Sequence, residues 1–230
     1  MGAITQANIK FYNCSNTTAG STYGGAINLS SQIVVDVALT GTATFSGSSA
    51  TVTGSGTSFT SALAVGDYIY NYADANTYAQ RVIAITNDTS LTLAANYGGT
   101  AGSGQTAHRI PKNAFFGDVP DSERQSGGTD NFKFFVYNGN ADAVPLKACV
   151  PVNYSSPNEA VALAIGTSGG TLSSEGSGLT YVAPTTLSAG NAPVLGMIAS
   201  GASVAIWLQR IVTPGPNGYI DSFVLQFGMY

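Results

Sequence analysis

Apolar and polar positions alternate along this chain in short runs, and no window of a dozen residues repeats them at helical spacing. Asn8–Asn13 opens with such a run and reads as a first strand, followed by a Ser/Thr/Gly loop to Gly25. Gln32–Leu39 is apolar at successive positions, which predicts a strand covered on both faces. Asn131–Tyr137 places Phe132, Phe134 and Val136 on one side. Asn138-Gly-Asn140 then has the composition of a hairpin turn. Leu146–Val150 and Ala160–Ile165 are further strands, Thr167–Gly178 is a Gly/Ser loop, and Ser222–Phe227 alternates cleanly. In Ser203–Arg210, Val204, Ile206 and Leu208 face inward and Trp207 faces the other way. The spacing predicts an all-β chain whose main domain is a β-sandwich of two packed sheets.

Gly41–Ile110 has a different texture. Its runs are roughly four to eight residues long, rich in Val, Ile, Thr and Tyr, and closed by Gly, Ser or Asn. We read it as a small β-barrel-like or β-sandwich domain inserted in the larger one. The expected boundaries are 1–39 and 111–230 for a discontinuous main domain and 40–110 for the insert. Within the insert, Tyr68, Tyr70 and Tyr72 share one face by alternation. Such a row is either a sugar-stacking platform or the half-buried rim of a small barrel.

Composition sharpens this picture. Charged residues are 9% of the chain while apolar ones are 44%. This is too apolar for disorder and too poor in Glu, Lys and Arg for helical surfaces. So few charges suit a surface committed to neighbours. The net charge is −4 and the eight basic residues are scattered, which argues against direct nucleic-acid binding. The N-terminal stretch lacks a basic region followed by an apolar core, so no cleaved export signal is expected. The uncharged stretch 176–209 is broken by Pro184, Gly190, Pro193, Gly196 and Gly201, so no membrane span is expected. Cys14 and Cys149 form no disulfide framework and no zinc motif. They read as two buried thiols, unless their strands adjoin.

Candidate chemistry is sparse. His108 is the one histidine, sits beside Arg109 near the end of the insert, and has no nucleophile-elbow serine to serve. The tight acidic group is Asp118, Asp121 and Glu123, with Asp130, Arg124 and Lys133 nearby. It reads as a solvated turn or an interface of ion pairs. A calcium loop is a weaker alternative, because the glycine placement is missing. The glycine-rich stretches carry no lysine and open no helix, so they are not phosphate loops. We expect no enzyme, no cofactor and no metal.

Two sets of motifs resemble known proteins. In the insert they are Val52-Thr-Gly-Ser-Gly-Thr-Ser-Phe59, Gly66-Asp-Tyr-Ile69, Ser90-Leu-Thr-Leu93 and Tyr97-Gly-Gly-Thr100. This pattern resembles a small β-module of tailed-bacteriophage virion proteins. The flanks carry Ile9–Tyr12, Gly24–Ile27, Phe116–Val119, Gly127–Asp130 and Ile206–Arg210. These are similar to a second type of phage structural protein, in which the region holding the insert is short. The resemblance implies a virion protein assembled in the bacterial host cytoplasm. Its function would be capsid decoration, as a cement protein stabilising the head. The alternative is a tail, baseplate or fibre component with a receptor- or carbohydrate-binding face. A reducing cytosol would keep both thiols free.

The resemblance also implies partners. These are other virion proteins, the major capsid protein or tail proteins, and further copies of this chain, a trimer being the form that analogy suggests. An adaptable N-terminal arm and a charged aromatic loop are the segments we expect to make contact. The expected interface residues are Ile4, Ile9, Phe11, Tyr12, Phe115, Phe116, Asp118, Asp121, Glu123 and Arg124, together with Trp207 on the outward face of its strand.

Overall fold

A computed structural model of the chain describes residues 4–18, 20–33, 36–74, 78–112, 115–116, 119–154, 159–215 and 222–230. The chain is all-β, with antiparallel pairing throughout the described strands, and divides into two compact units. One comprises Met1–Ile33 with Phe115–Tyr230, and the other Val34–Ala114.

The larger unit opens with β1 (Ile9–Asn16) and β2 (Gly24–Gln32). The smaller unit follows with β3 (Val37–Ala38), β4 (Thr42–Phe45), β5 (Thr51–Ser55), a one-turn helix α1 (Phe59–Ala62) and β6 (Tyr68–Asn71). It is completed by β7 (Gln80–Asn87), β8 (Ser90–Leu93), β9 (Gly102–Gln105) and β10 (Ala107–Ile110). The chain then returns to the larger unit through the short helix α2 (Asp121–Ser126), β11 (Gly128–Asn138), β12 (Val144–Tyr154) and β13 (Glu159–Gly166). It ends with β14 (Val194–Ile198), β15 (Ser203–Val212) and β16 (Ser222–Gly228).

The larger unit is a sandwich. A five-stranded sheet in the order β13-β15-β11-β1-β2 faces a three-stranded sheet in the order β14-β12-β16. Alternation aims Phe11 and Phe134 at Phe227 of the smaller sheet, with ring centroids 5.2 and 6.4 Å away. β11 and β15 are buried on both faces. On the far face, Cys14, Tyr23, Phe135, Ala205 and Trp207 form a second cluster, roofed by Leu172, Leu179 and Tyr181.

A buried lysine pins that roof. Lys133 Nζ donates to the carbonyls of Thr167 (2.7 Å) and Gly170 (2.8 Å) and lies 3.0 Å from Glu175 Oε2. The rings of Trp207 and Phe135 lie 5.3 and 5.5 Å from the same nitrogen. Such enclosure is tolerable only because every proton of the ammonium has an acceptor. Gly170 is required here, since a Cβ would meet the Glu175 carboxylate.

The smaller unit is one sheet of eight strands, ordered β3-β10-β6-β7-β8-β5-β4-β9. It wraps a single core containing Phe45, Val52, Phe59, Ile69, Val82, Leu91, Leu93 and Tyr97. Several motif residues of this region act as internal ties. Asp67 is buried, accepts the backbone N–H groups of Ala64 (2.7 Å) and Lys112 (3.0 Å), and pairs with Arg109 at 2.8 Å. The Tyr97 hydroxyl accepts from the Asn71 N–H (2.9 Å) and donates to Asp74 (2.7 Å). Asp74 also holds the N–H and hydroxyl of Thr100.

Four expectations are corrected. Gln32–Leu39 is not one strand: Gln32 closes β2 and only Val37–Ala38 pairs in β3, while residues 34–35 lie outside the described set. The expected loop runs only to Tyr23, because Gly24 and Gly25 already belong to β2, where both have positive φ. Asn138-Gly-Asn140 makes no hairpin, since β11 and β12 lie in different sheets. Asn138 is buried there and donates to the carbonyls of Asp142 (2.9 Å) and Ile198 (2.8 Å), which turns the chain into an arch between the sheets. Finally, the tyrosine row is broken. Tyr70 is buried in the same core cluster as Ile69, while β6 ends at Asn71 and Tyr72 enters a turn of 3-10 helix, exposed.

Candidate functional site

A cavity of the larger unit lies where β11 begins. The chain reaches it through α2, whose C-terminus is closed by Gly127 at φ +78° donating to the Glu123 carbonyl (2.7 Å). Gly128 follows, and a Cβ there would lie 2.3 Å from Glu123 Oε1. The two glycines therefore do different things. The first permits the turn, and the second leaves room for the Glu123 carboxyl to lie against the strand.

β11 then presents Asp130, Asn131 and Phe132 to a cavity of about 270 Å³, walled by Tyr23, Phe115, Phe116, Pro120, Glu123 and Arg210. A neighbouring cavity of about 300 Å³ shares Tyr23, Asp130 and Asn131. Phe132 is the hub of the aromatic wall. Its ring lies 5.6 Å from Phe115, 6.0 Å from Phe116 and 6.0 Å from Tyr23. Edge-on and tilted packing of this kind is the arrangement that aromatic pairs prefer.

The polar side is one guanidinium among carboxylates. Register places Arg210 of β15 opposite Asp130 of β11, and the two side chains form an ion pair. The same guanidinium lies 5.0 Å above the Phe116 ring. Glu123 forms no ion pair among the described residues. Loss of water at this half-buried position raises its carboxyl pKa, and the charge of Asp130 raises it further against the opposing pull of Arg210.

The structure gathers some of the expected interface residues and disperses others. Phe115, Phe116 and Glu123 line the cavity. Asp121 and Arg124 lie in α2, paired at 3.1 Å, with Arg124 also donating to the Gly215 carbonyl. Asp118 lies outside the described residues. From Thr5 onward the N-terminal segment is tied to the sandwich. Ile4 is exposed, but the Thr5 N–H donates to Asn140 (2.7 Å), and Ile9, Phe11 and Tyr12 are in β1 between β11 and β2. Phe11 packs on Phe134 and Phe227, and the buried Tyr12 packs edge-on against Tyr137. Trp207 is also withdrawn from any partner. It does face away from Ile206 and Leu208, but a second apolar layer covers that side and buries it fully. Lys133, grouped with the acidic loop by sequence, is turned to the same covered face.

Sequence reasoning placed Asp130 beside the acidic group but did not assign Tyr23, Asn131, Phe132 or Arg210 to a site. Asp130 and Arg210 do fall within the flank motifs, so a signal was present without its spatial meaning. His108 lies elsewhere, in the smaller unit. Its Nδ1 is 3.0 Å from Asp36, its ring stacks on Tyr72 at 4.3 Å, and Tyr70 also donates to Asp36. No serine or cysteine joins this group among the described contacts. Among the described residues no group of His, Cys, Asp and Glu is arranged to hold a metal, and no helix is long and apolar enough to cross a membrane. The chain matches no family model, no curated protein and no solved structure.

Proposed function

We propose that this chain is a structural protein of a tailed-bacteriophage virion, acting as a decoration or cement protein on the head. One observation carries the reading. Four of the flank motifs, far apart in sequence, meet in one sheet: Ile9–Tyr12 in β1, Gly24–Ile27 in β2, Gly127–Asp130 entering β11, and Ile206–Arg210 in β15. With Phe116, the last two also line the aromatic cavity. A resemblance whose pieces assemble into a single structural element supports a common architecture more strongly than scattered matches would. The insert supports it in the same way, with Val52, Phe59, Ile69, Leu91, Leu93 and Tyr97 sharing one core.

A tail, baseplate or fibre component is the second reading. Sparse charge over an all-β chain favours the head, where each copy is surrounded by neighbours. Quantitative mass spectrometry of purified virions separates the two. A copy number comparable to that of the major shell protein is the expected result; a much lower number places the protein in the tail. Absence from virions removes both readings. The expected contact uses the Phe115–Arg124 segment, so a Phe115→Asp, Phe116→Asp variant should fail to rebind particles stripped of the protein. We also expect a homo-oligomer, which light scattering of the purified chain tests directly.

A further inference from the structure

We propose that the aromatic cavity at the start of β11 is a receptor for one basic side chain, a lysine or arginine presented by a protein partner. Three features of the cavity lead there. Its volume of about 270 Å³ has room for the end of one side chain. Its walls are the rings of Tyr23, Phe115, Phe116 and Phe132, whose negative faces attract cations. Its described charges are two carboxylates, Glu123 and Asp130, against one guanidinium, Arg210.

Arg210 shows what the cavity accepts. Its guanidinium sits over Phe116 while pairing with Asp130, which is the arrangement an incoming cation would repeat with Glu123 and the remaining rings. Glu123 is the group left over. It rests on Gly128, where no side chain can displace it, and its carboxyl has been drawn partly out of water without gaining a cation of its own. A second positive charge would relieve the repulsion between Glu123 and Asp130 and satisfy both the rings and the carboxylate. An anion would meet that same repulsion, and a neutral sugar would leave the charge imbalance in place.

The identity of the partner rests on the virion reading, but the chemistry of the cavity does not. It can be tested on the isolated full chain by NMR titration with Nα-acetyl-lysine methylamide. The controls are the Nε-acetylated compound, which is neutral and similar in shape, and N-acetylglucosamine. The lysine probe should shift the amide resonances of Gly128 and Asp130 saturably, and added salt should weaken the effect. Glu123→Gln should weaken binding roughly ten-fold, the loss expected for one charge-assisted contact. Phe116→Leu should weaken it by a smaller factor. No response to the lysine probe, or an equal response to its neutral counterpart, overturns the proposal. A response to the sugar alone overturns it in favour of carbohydrate recognition. A lysine-specific response upholds the cavity whatever the virion copy number proves to be. Its absence in a protein that still incorporates into virions defeats the cavity proposal alone.

Discussion

Lys133 and Glu123 illustrate two opposite settlements of charge. Lys133 is fully enclosed yet has a carboxylate and two carbonyls as acceptors. Removing it strands Glu175 in the same enclosure. Lys133→Ala should therefore cost about 3–5 kcal/mol in urea denaturation, and combining Lys133→Met with Glu175→Gln should recover part of the loss. Glu123 is the reverse case. Its raised pKa means that the folded state binds its proton more tightly than the unfolded chain does, so the ionised form opposes folding at neutral pH. Glu123→Gln should be neutral or slightly stabilising above the ordinary carboxylate range, with the difference vanishing in acid where both side chains are uncharged. A residue that costs stability where it sits is what a binding role would produce. The thiols belong to neither class. Cys14 and Cys149 are free, buried and raised in pKa by that burial. Ellman's reagent should find both under denaturant and react slowly with either in the native protein.

At the scale of elements, the turn after β6 is held by Asp74, which accepts from Tyr97 and Thr100. The Thr100 and Tyr97 hydrogen bonds lower its pKa. A depressed carboxyl contributes stability that is present above its unfolded value and is lost as pH falls through the lower folded value. A carboxyl ¹³C titration should place Asp74 below the ordinary value of about 3.9. Asp74→Asn should be less stable than the parent at neutral pH, and the gap should close in strong acid. Gly99 belongs to the same arrangement. A Cβ there would approach Asp74 Oδ2 to 2.4 Å and also crowd Tyr78 and Tyr97, so Gly99→Ala should loosen the turn without disturbing the larger unit.

At the scale of the molecule, the two compact units Met1–Ile33 with Phe115–Tyr230 and Val34–Ala114 lead to a deletion test. The larger unit closes its sandwich with its own strands, and Phe115 packs on Phe132 and Phe134 within it. Replacing residues 34–114 by a Gly/Ser linker should leave a β-rich protein that unfolds cooperatively by circular dichroism. Residues 34–114 alone should also fold, since among the described residues their core cluster draws on none outside them. A wholly unfolded product in either case would show that the division by contacts is not a division in folding.

Much of this was legible in the residues themselves. Alternation at Phe132, Phe134 and Val136 and at Ile206 and Leu208 announced strands, because a pleated strand sends successive side chains to opposite faces whatever lies there. The scarcity of helix-forming surface residues excluded a helical fold for a similarly local reason. What lies on each face is not a local property, and there the reading failed. Trp207 looked like a surface aromatic because the core face was already accounted for, and only the folded chain supplies the second layer, with Leu172, Leu179 and Tyr181, that buries the other side. The hairpin at Asn138 failed likewise, since the same turn residues serve a hairpin or an arch and the choice depends on which sheet receives β12. The cavity was least legible of all. Asp130 and Arg210 are eighty positions apart and become neighbours only through the antiparallel register of β11 and β15, which is set by the packing of both strands between two layers.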